Sequence, residues 1–284
     1  MEGLVLEPCR GSAGGERWLT RPSCSLSNEG VNLTACFACC RLRLRRYATT
    51  AMARSASNID YKTQQAEFFL RRLSEPGVGF FEVQCYADAF VAATRSVTFA
   101  LQSVCATIPG FTEWYSQQQS AMRADSLMRC FHDYRTSSVH VGDSPTRAGS
   151  SVRDADGRLR CLYFFLPTQD IPSPPTTDVV SACRDYFCRT LRVVLDCYRR
   201  FPHDLDDRRH FTPEHFQSLG LTVEDAEEVM GFPRGWTAVG EASPEQILER
   251  WHLLIRHHCV GCQIGDIFYE YLRETFDGPA ITVA

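Results

Sequence analysis

Arg135 and His140 are the two residues whose types and spacing are best suited to catalysis. An arginine guanidinium can hold a phosphate oxygen in a planar fork, and a histidine that titrates near neutrality can transfer protons. Together they could promote cleavage of RNA by its own 2′-hydroxyl group without a metal ion. Five residues correspond to about one and a half helical turns, so a break near Ser137 and Ser138 is needed to bring the pair together. The structural alternative makes Arg135 a cation at a helix C-terminus and His140 a loop residue.

Four further polar residues could support this pair. Arg95 interrupts an apolar helical stretch, where it could bind phosphate or serve as a paired structural residue. Asp88 precedes it by seven residues on a similar helical face, and could pair with Arg95 or orient the catalytic residues. His132 and Thr136 flank Arg135, with His132 on the same helical side. A surface position is the simpler interpretation of His132.

Cys259 and Cys262, which follow His257 and His258, are residue types that bind zinc. A structural zinc site needs four ligands, and the sequence offers no second cluster at a suitable spacing. We therefore expect no metal and no other cofactor, with Cys259 and Cys262 as the candidates should zinc bind. The sequence also contains no glycine-rich nucleotide-binding motif, nucleophile elbow or zinc-protease motif.

The composition excludes a strongly basic protein. The 284 residues include 30 lysines and arginines against 34 acidic residues, so any contact with RNA must come from a local patch. The 14 cysteines are scattered, and neither a secretory leader nor a long apolar run accompanies them. We therefore expect a cytoplasmic protein with free thiols and no membrane partner.

Hydrophobic periodicity predicts a mainly α fold, which is a helical bundle with a short β-hairpin insertion and a helical C-terminal extension. Residues 1–58 are expected to be an N-terminal extension that is disordered or arises from a wrong translation start ahead of Met52. The remaining parts are a helical core over 59–145, a β-hairpin and proline-rich connector over 146–177, and a helical extension packing on the core over 178–284.

The expected helices of the core span residues 61–73, 80–105 and 112–131, the last capped by Thr112 and kinked or split at Asp125. Residues 159–166 should form a strand buried on both faces, because apolar side chains occupy both alternating sets. A strong helix follows over 178–201. The predicted caps of the later helices are Thr212, Thr222 and Ser243.

Three segments of the core carry a family resemblance. Residues 89–99 lie on the second predicted helix, residues 109–115 open the third, and Arg135 with His140 matches an R-x4-6-H motif after the third. Over roughly residues 60–145 the chain resembles an uncharacterised bacterial branch of the HEPN superfamily.

The HEPN resemblance implies a helical bundle that commonly dimerises, so that two such motifs face one cleft. It also implies a metal-independent endoribonuclease of a defence or toxin–antitoxin system, with Arg135 as phosphate clamp and His140 as acid or base. RNA and a cognate antitoxin or operon partner are the binding partners that it implies. Other members are catalytically silent binding or dimerisation modules. Thr136 favours that alternative, because active members usually carry an amide or acidic residue there and threonine lacks the bifunctional amide. A zinc-stabilised helical protein is the third alternative.

Overall fold

A computed structural model describes residues 56–75, 77–140, 144–153, 155–157, 159–240, 243–276 and 278–279. The predicted N-terminal extension therefore lies almost wholly outside the described residues. Within them, no helix is both long enough and apolar enough to cross a membrane.

Two long helices form the first layer of the core. Helix α1 (Ser57–Leu73) packs along α2 (Phe80–Cys105), and the two are joined by a short turn. Helix α1 buries one stripe that includes Ala66 and Leu70, whereas α2 is apolar on most sides and buries Phe90, Val97 and Leu101 completely. Helix α2 is therefore surrounded by other elements over most of its circumference, and one stripe of it remains exposed.

The region predicted as one third helix is two helices. Helix α3 (Phe111–Ala124) begins after Gly110, whose φ of 80° suits glycine, so the predicted cap at Thr112 is wrong. Helix α4 (Ser126–His140) follows after Asp125, which has extended dihedral angles. The Asp125 carboxylate accepts hydrogen bonds from the backbone N–H groups of Leu127 (2.9 Å) and Met128 (3.1 Å). The predicted kink or split at Asp125 is thus confirmed as a split, because its side chain caps a new helix.

The predicted β-hairpin is confirmed, but its predicted burial is wrong. Strands β1 (Thr146–Arg153) and β2 (Leu159–Phe165) pair antiparallel along their whole length. Only the end of β2 at Phe165 is buried, and the strand is exposed from Leu159 to Cys161. Among the described residues, helices cover the base of the hairpin and no second layer covers its outer half, so both faces there meet solvent.

Helix α5 (Val179–Arg200) is the predicted strong helix, and the structure confirms it. Asp178 caps it by accepting hydrogen bonds from the N–H groups of Val180 and Ser181, each at 3.1 Å. Phe187, Leu191 and Val194 lie on its buried face, at the spacings that the sequence predicts. The helix packs on α1, α2 and α4, and so it closes the bundle.

The C-terminal part is helical as predicted, with short helices between two longer ones. Its elements are α6 (Pro202–Leu205), α7 (Asp207–His210), α8 (Pro213–Ser218), α9 (Val223–Val229), α10 (Pro244–His258), α11 (Gly265–Leu272), β3 (Glu274–Thr275) and β4 (Gly278–Pro279). Thr212, Thr222 and Ser243 cap α8, α9 and α10, which confirms all three predictions.

Two hydrophobic cores result from this arrangement. The main core joins α1 to α5 with α11, which buries Ile264 and Phe268. A smaller second core lies between α8, α9 and α10 and contains Phe216, Trp251 and Leu254. The mainly α fold with a β-hairpin is therefore as expected, and the C-terminal extension has an apolar core of its own.

Candidate functional site

Helix α4 carries both residues of the predicted catalytic pair and runs without a break from Ser126 to His140. The helix therefore has no break near Ser137 and Ser138 that would bring the pair together. Ser137 is buried in the helix, and Thr136 donates its hydroxyl hydrogen bond to the His132 carbonyl oxygen (3.0 Å) one turn earlier, so these polar residues fit the helix without disrupting it. Positions 135 and 140 are separated by about 140° around the axis and face different sides of α4.

Arg135 is half-buried on α4, and no carboxylate among the described residues pairs with it. His132 and Thr136 are exposed beside it. The side chain of His140 lies outside the described residues. The described part of this face therefore presents one guanidinium, which can bind an anion, and the exposed imidazole of His132 one turn away.

Asp88 is engaged in the bundle rather than in a catalytic pair. It accepts a hydrogen bond from the hydroxyl of Tyr134 at 2.6 Å, which connects α2 to α4. The Tyr134 ring is buried between Phe131 and Phe165, at 6.3 and 5.7 Å between ring centroids. Burial raises the pKa of Asp88, and the hydrogen bond from Tyr134 opposes that rise. The role of Tyr134 could not be predicted from the sequence, because its partner lies 46 residues away.

Arg95 is also held by its own helix. One guanidinium nitrogen donates to the Thr98 hydroxyl at 3.2 Å, and the guanidinium carbon lies 4.6 Å from the centroid of the Phe99 ring. Burial raises the pKa values of Tyr115 and Tyr186, and the nearby charge of Arg95 opposes both rises. The expected pair between Asp88 and Arg95 is therefore not formed, and Arg95 is a half-buried structural cation within one chain.

Of the two candidate zinc ligands, Cys259 is buried and Cys262 is half-buried. Burial raises the pKa of both Cys259 and Cys262 to about 12, which disfavours the thiolate form that zinc binds. His257 and His258 are exposed, and the His258 ring lies 4.6 Å from that of Phe232. In the part of the chain that the structure describes, no three histidine, cysteine or acidic side chains could hold a metal ion together.

Three histidines that the sequence analysis did not single out meet between α6 and α8. The rings of His203 and His215 are stacked at 4.0 Å, and the His210 ring lies 5.2 Å from His215. Nδ1 of His203 bonds the Arg209 carbonyl oxygen and Nδ1 of His210 bonds the His203 carbonyl oxygen, so each of these nitrogens donates. Burial, with its two neighbours, lowers the pKa of His215 to about 4. His215 is therefore neutral at pH 7, and its protonation at lower pH destabilises the folded chain.

A buried carboxylate organises the loop between α9 and α10. Glu227 is fully buried and accepts hydrogen bonds from the backbone N–H groups of Gly235 (2.6 Å), Trp236 (3.1 Å) and Thr237 (2.8 Å). The Thr237 hydroxyl and the guanidinium of Arg250 donate to it as well. Glu227 thus fixes the backbone of this loop through a network that short-range patterns do not reveal.

Comparison with known proteins adds one family likeness. Residues 78–155, from the approach to α2 through β1, match the family model of bacteriophage lambda protein ea47. The match covers about a quarter of the chain, including Arg95, Arg135 and His140. No curated protein and no solved structure matches the chain. The ea47 likeness does not test the HEPN resemblance, which stays a prediction.

Proposed function

We propose that the helical core is a HEPN-like binding module that dimerises through α2, and that one chain alone does not form a ribonuclease site. The observation that carries this proposal is the exposed stripe of α2. Phe81 is 74% exposed and Phe99 is 49% exposed, and the smaller side chains of Cys85 and Ala92 are exposed between them. Large aromatic side chains in solvent along one stripe of a largely buried helix are typical of a surface that another molecule covers.

The spacing of this stripe fits a second copy of the same helix. With the half-buried Asp88 and Arg95 included, its positions are 81, 85, 88, 92, 95 and 99, which alternate by four and three as in a coiled-coil seam. The pattern is symmetric about position 90, so two antiparallel copies would place Phe81 of each opposite Phe99 of the other. Asp88 of one copy would then lie about one turn from Arg95 of the other, which adds charge complementarity.

The expected dimer is weak to moderate in strength. Burying a phenylalanine side chain contributes roughly 1.5–3 kcal/mol, and four partly exposed rings would be covered in the dimer. Association costs an estimated 4–15 kcal/mol in lost freedom, so we expect a dissociation constant in the micromolar range or weaker. We expect the module to act in the cytoplasm, which the nine free cysteines among the described residues support. RNA or a cognate operon partner would be its ligand.

Sedimentation equilibrium of the full chain tests dimerisation. Phe81→Ser with Phe99→Ser should shift the chain towards monomer, because it removes the apolar area of the seam. Leu248→Ser with Leu253→Ser on α10 is the matched control, since these two leucines are 47% and 46% exposed. A wild-type chain that is monomeric at every concentration would refute the proposal, and so would equal dimerisation of both double variants.

Metal-independent RNA cleavage is the second candidate function, and the guanidinium of Arg135, which pairs with no carboxylate among the described residues, favours it. A cleft shared by two copies would not require Arg135 and His140 of one chain to converge. The assay is cleavage of a mixed RNA pool in EDTA, by the wild type beside His140→Ala and Arg135→Ala. The silent-module proposal expects no cleavage that depends on either residue. Cleavage that both substitutions abolish would establish the nuclease instead.

A further inference from the structure

The β-hairpin is an exposed arm on a fixed base. At the base, the Tyr163 hydroxyl donates to the Val78 carbonyl oxygen (3.1 Å), and the Gln84 amide donates to the Thr146 carbonyl oxygen (2.9 Å). Phe165 is buried against Phe131, with ring centroids 5.9 Å apart. Beyond this base, the residues of β1 from position 149 onward and of β2 before position 162 are exposed. A two-stranded ribbon that buries nothing over its outer half gains no stability from that half, which suggests a role in binding.

The arm is basic in a chain that is acidic overall. Residues 149–161, which lie beyond the base, contain three arginines and two aspartates, whereas the whole chain has a net charge of −4. Arg153 pairs across the ribbon with Leu159, and Val152 pairs with Arg160. Because neighbouring residues of a strand point to opposite faces, Arg153 and Arg160 lie on opposite faces of the same outer end. The arm therefore carries one exposed guanidinium on each side.

These dimensions and charges fit one kind of partner. We propose that the outer half of the hairpin inserts into the major groove of double-stranded DNA. The major groove of B-form DNA is about 12 Å wide and 8.5 Å deep and admits a two-stranded β-ribbon. The three residue pairs beyond the base, from Ser151 and Cys161 to Arg153 and Leu159, extend about 10 Å, which is enough to reach the floor of the groove.

The two faces of the inserted arm would meet the two walls of the groove. Arg153 on one face and Arg160 on the other each bind phosphate groups of a different strand. Val152 and Leu159, which are 43% and 62% exposed, supply apolar contacts to base edges such as the thymine methyl group. Double-stranded RNA could not bind the arm in this way, because the major groove of A-form RNA is too narrow for side chains to read. This proposal does not depend on dimerisation or on RNA cleavage.

The test is fluorescence anisotropy of the full chain with a labelled DNA duplex and with an RNA duplex of the same sequence, over a range of salt concentrations. We expect the wild type to bind the DNA duplex more tightly. Arg153→Ala with Arg160→Ala should weaken DNA binding by roughly ten- to sixtyfold near 0.1 M salt and lower the slope of log K against log salt by about 1.8, the value for two phosphate contacts. Circular dichroism and the melting temperature should change little, because both side chains are exposed and the variant loses an exposed hydrogen bond from Arg153 to the Gly157 carbonyl oxygen (3.0 Å).

The matched control is Arg123→Ala with Arg256→Ala, which removes two exposed arginines from α3 and α10. The control should bind the DNA duplex as the wild type does. Equal DNA binding by the arm variant and the control would overturn the proposal. Absence of DNA binding by the wild type, or tighter wild-type binding to the RNA duplex, would overturn it too.

Discussion

Glu227→Gln is the substitution for which the structure gives the clearest quantitative expectation. The carboxylate of Glu227 is fully buried and accepts five hydrogen bonds, three from the backbone of the loop between α9 and α10 and one each from Thr237 and Arg250. Glutamine has the same shape but replaces one acceptor oxygen with an NH2 group. In either orientation of the amide, its NH2 group points at two or more of the hydrogen-bond donors around Glu227, and at least two of those donors lose their acceptor.

The cost follows from those lost partners. Each buried donor left without an acceptor costs about 1–3 kcal/mol, and breaking a buried ion pair costs about 3–5 kcal/mol. Arg250 keeps one carboxylate, since it also bonds Glu224 at 2.7 Å. We therefore expect Glu227→Gln to lower the free energy of unfolding by about 3–5 kcal/mol. Glu228→Gln is the control, because Glu228 is more exposed and bonds Arg234 at 3.4 Å, so we expect less than about 1 kcal/mol.

Urea denaturation measures both variants, and hydrogen exchange at the amides of residues 235–237 reports whether the loop is released. The pH dependence gives an independent check. Burial raises the pKa of Glu227, but the hydrogen bonds from Thr237, Arg250 and Gly235 outweigh it and the net direction is downward from 4.5. A lowered folded pKa means that this stabilisation is present above about pH 4.5 and is lost as the pH falls further. Equal stability of the Glu227 and Glu228 variants at pH 7 would refute the reasoning.

Two further predictions concern the histidine cluster and the contact between α2 and α4. His215→Phe should keep the ring stacking but remove a group whose pKa is lowered to about 4. The wild type should lose stability as the pH falls from about 6.5 to 4, and the variant should lose less, so that urea denaturation at pH 5 shows a difference in the free energy of unfolding of about 1–2 kcal/mol. His252→Phe, at an exposed position, is the control and should lose stability as the wild type does. Tyr134→Phe should lower the free energy of unfolding by about 1.5–3 kcal/mol, because it leaves the Asp88 carboxylate without its donor. Adding Asp88→Asn should recover part of that loss. A Tyr134→Phe protein as stable as the wild type would show that the contact contributes nothing to stability.

Local signals in the sequence predicted the helices well. The caps at Thr212, Thr222 and Ser243 depend on residues at most three positions apart, so the sequence contains the whole interaction. The stripe of α5 was equally predictable, because a helix that buries one face must repeat its apolar residues at three and four. Gly110 in place of Thr112 at the start of α3 shows the limit, since a left-handed residue can begin a helix without a side-chain cap.

Features that depend on distant residues could not be predicted in this way. A strand with apolar side chains on both faces is buried on both only where other layers cover it, and residues 159–166 do not indicate that β2 projects beyond the helices. The partner of Asp88 is 46 residues away, and His203 meets His215 only because three short helices turn between them. The candidate site was the hardest feature to predict, because the types and spacing of Arg135 and His140 do not determine where their side chains point.

The divergence of positions 135 and 140 on α4 limits catalysis within one chain, but it does not limit a site shared by two. Tyr134, which precedes Arg135, bonds Asp88, and Asp88 lies within two residues of the centre of the proposed α2 seam. An antiparallel dimer through α2 would therefore place both copies of Arg135 on α4 helices that lie beside its twofold axis.

If such a dimer cleaves RNA, Phe81→Ser with Phe99→Ser should abolish cleavage as completely as His140→Ala, although it alters no catalytic side chain. Cleavage that survives loss of the dimer would place the chemistry within one chain, and dimerisation without cleavage leaves the α2 seam as the function of this core.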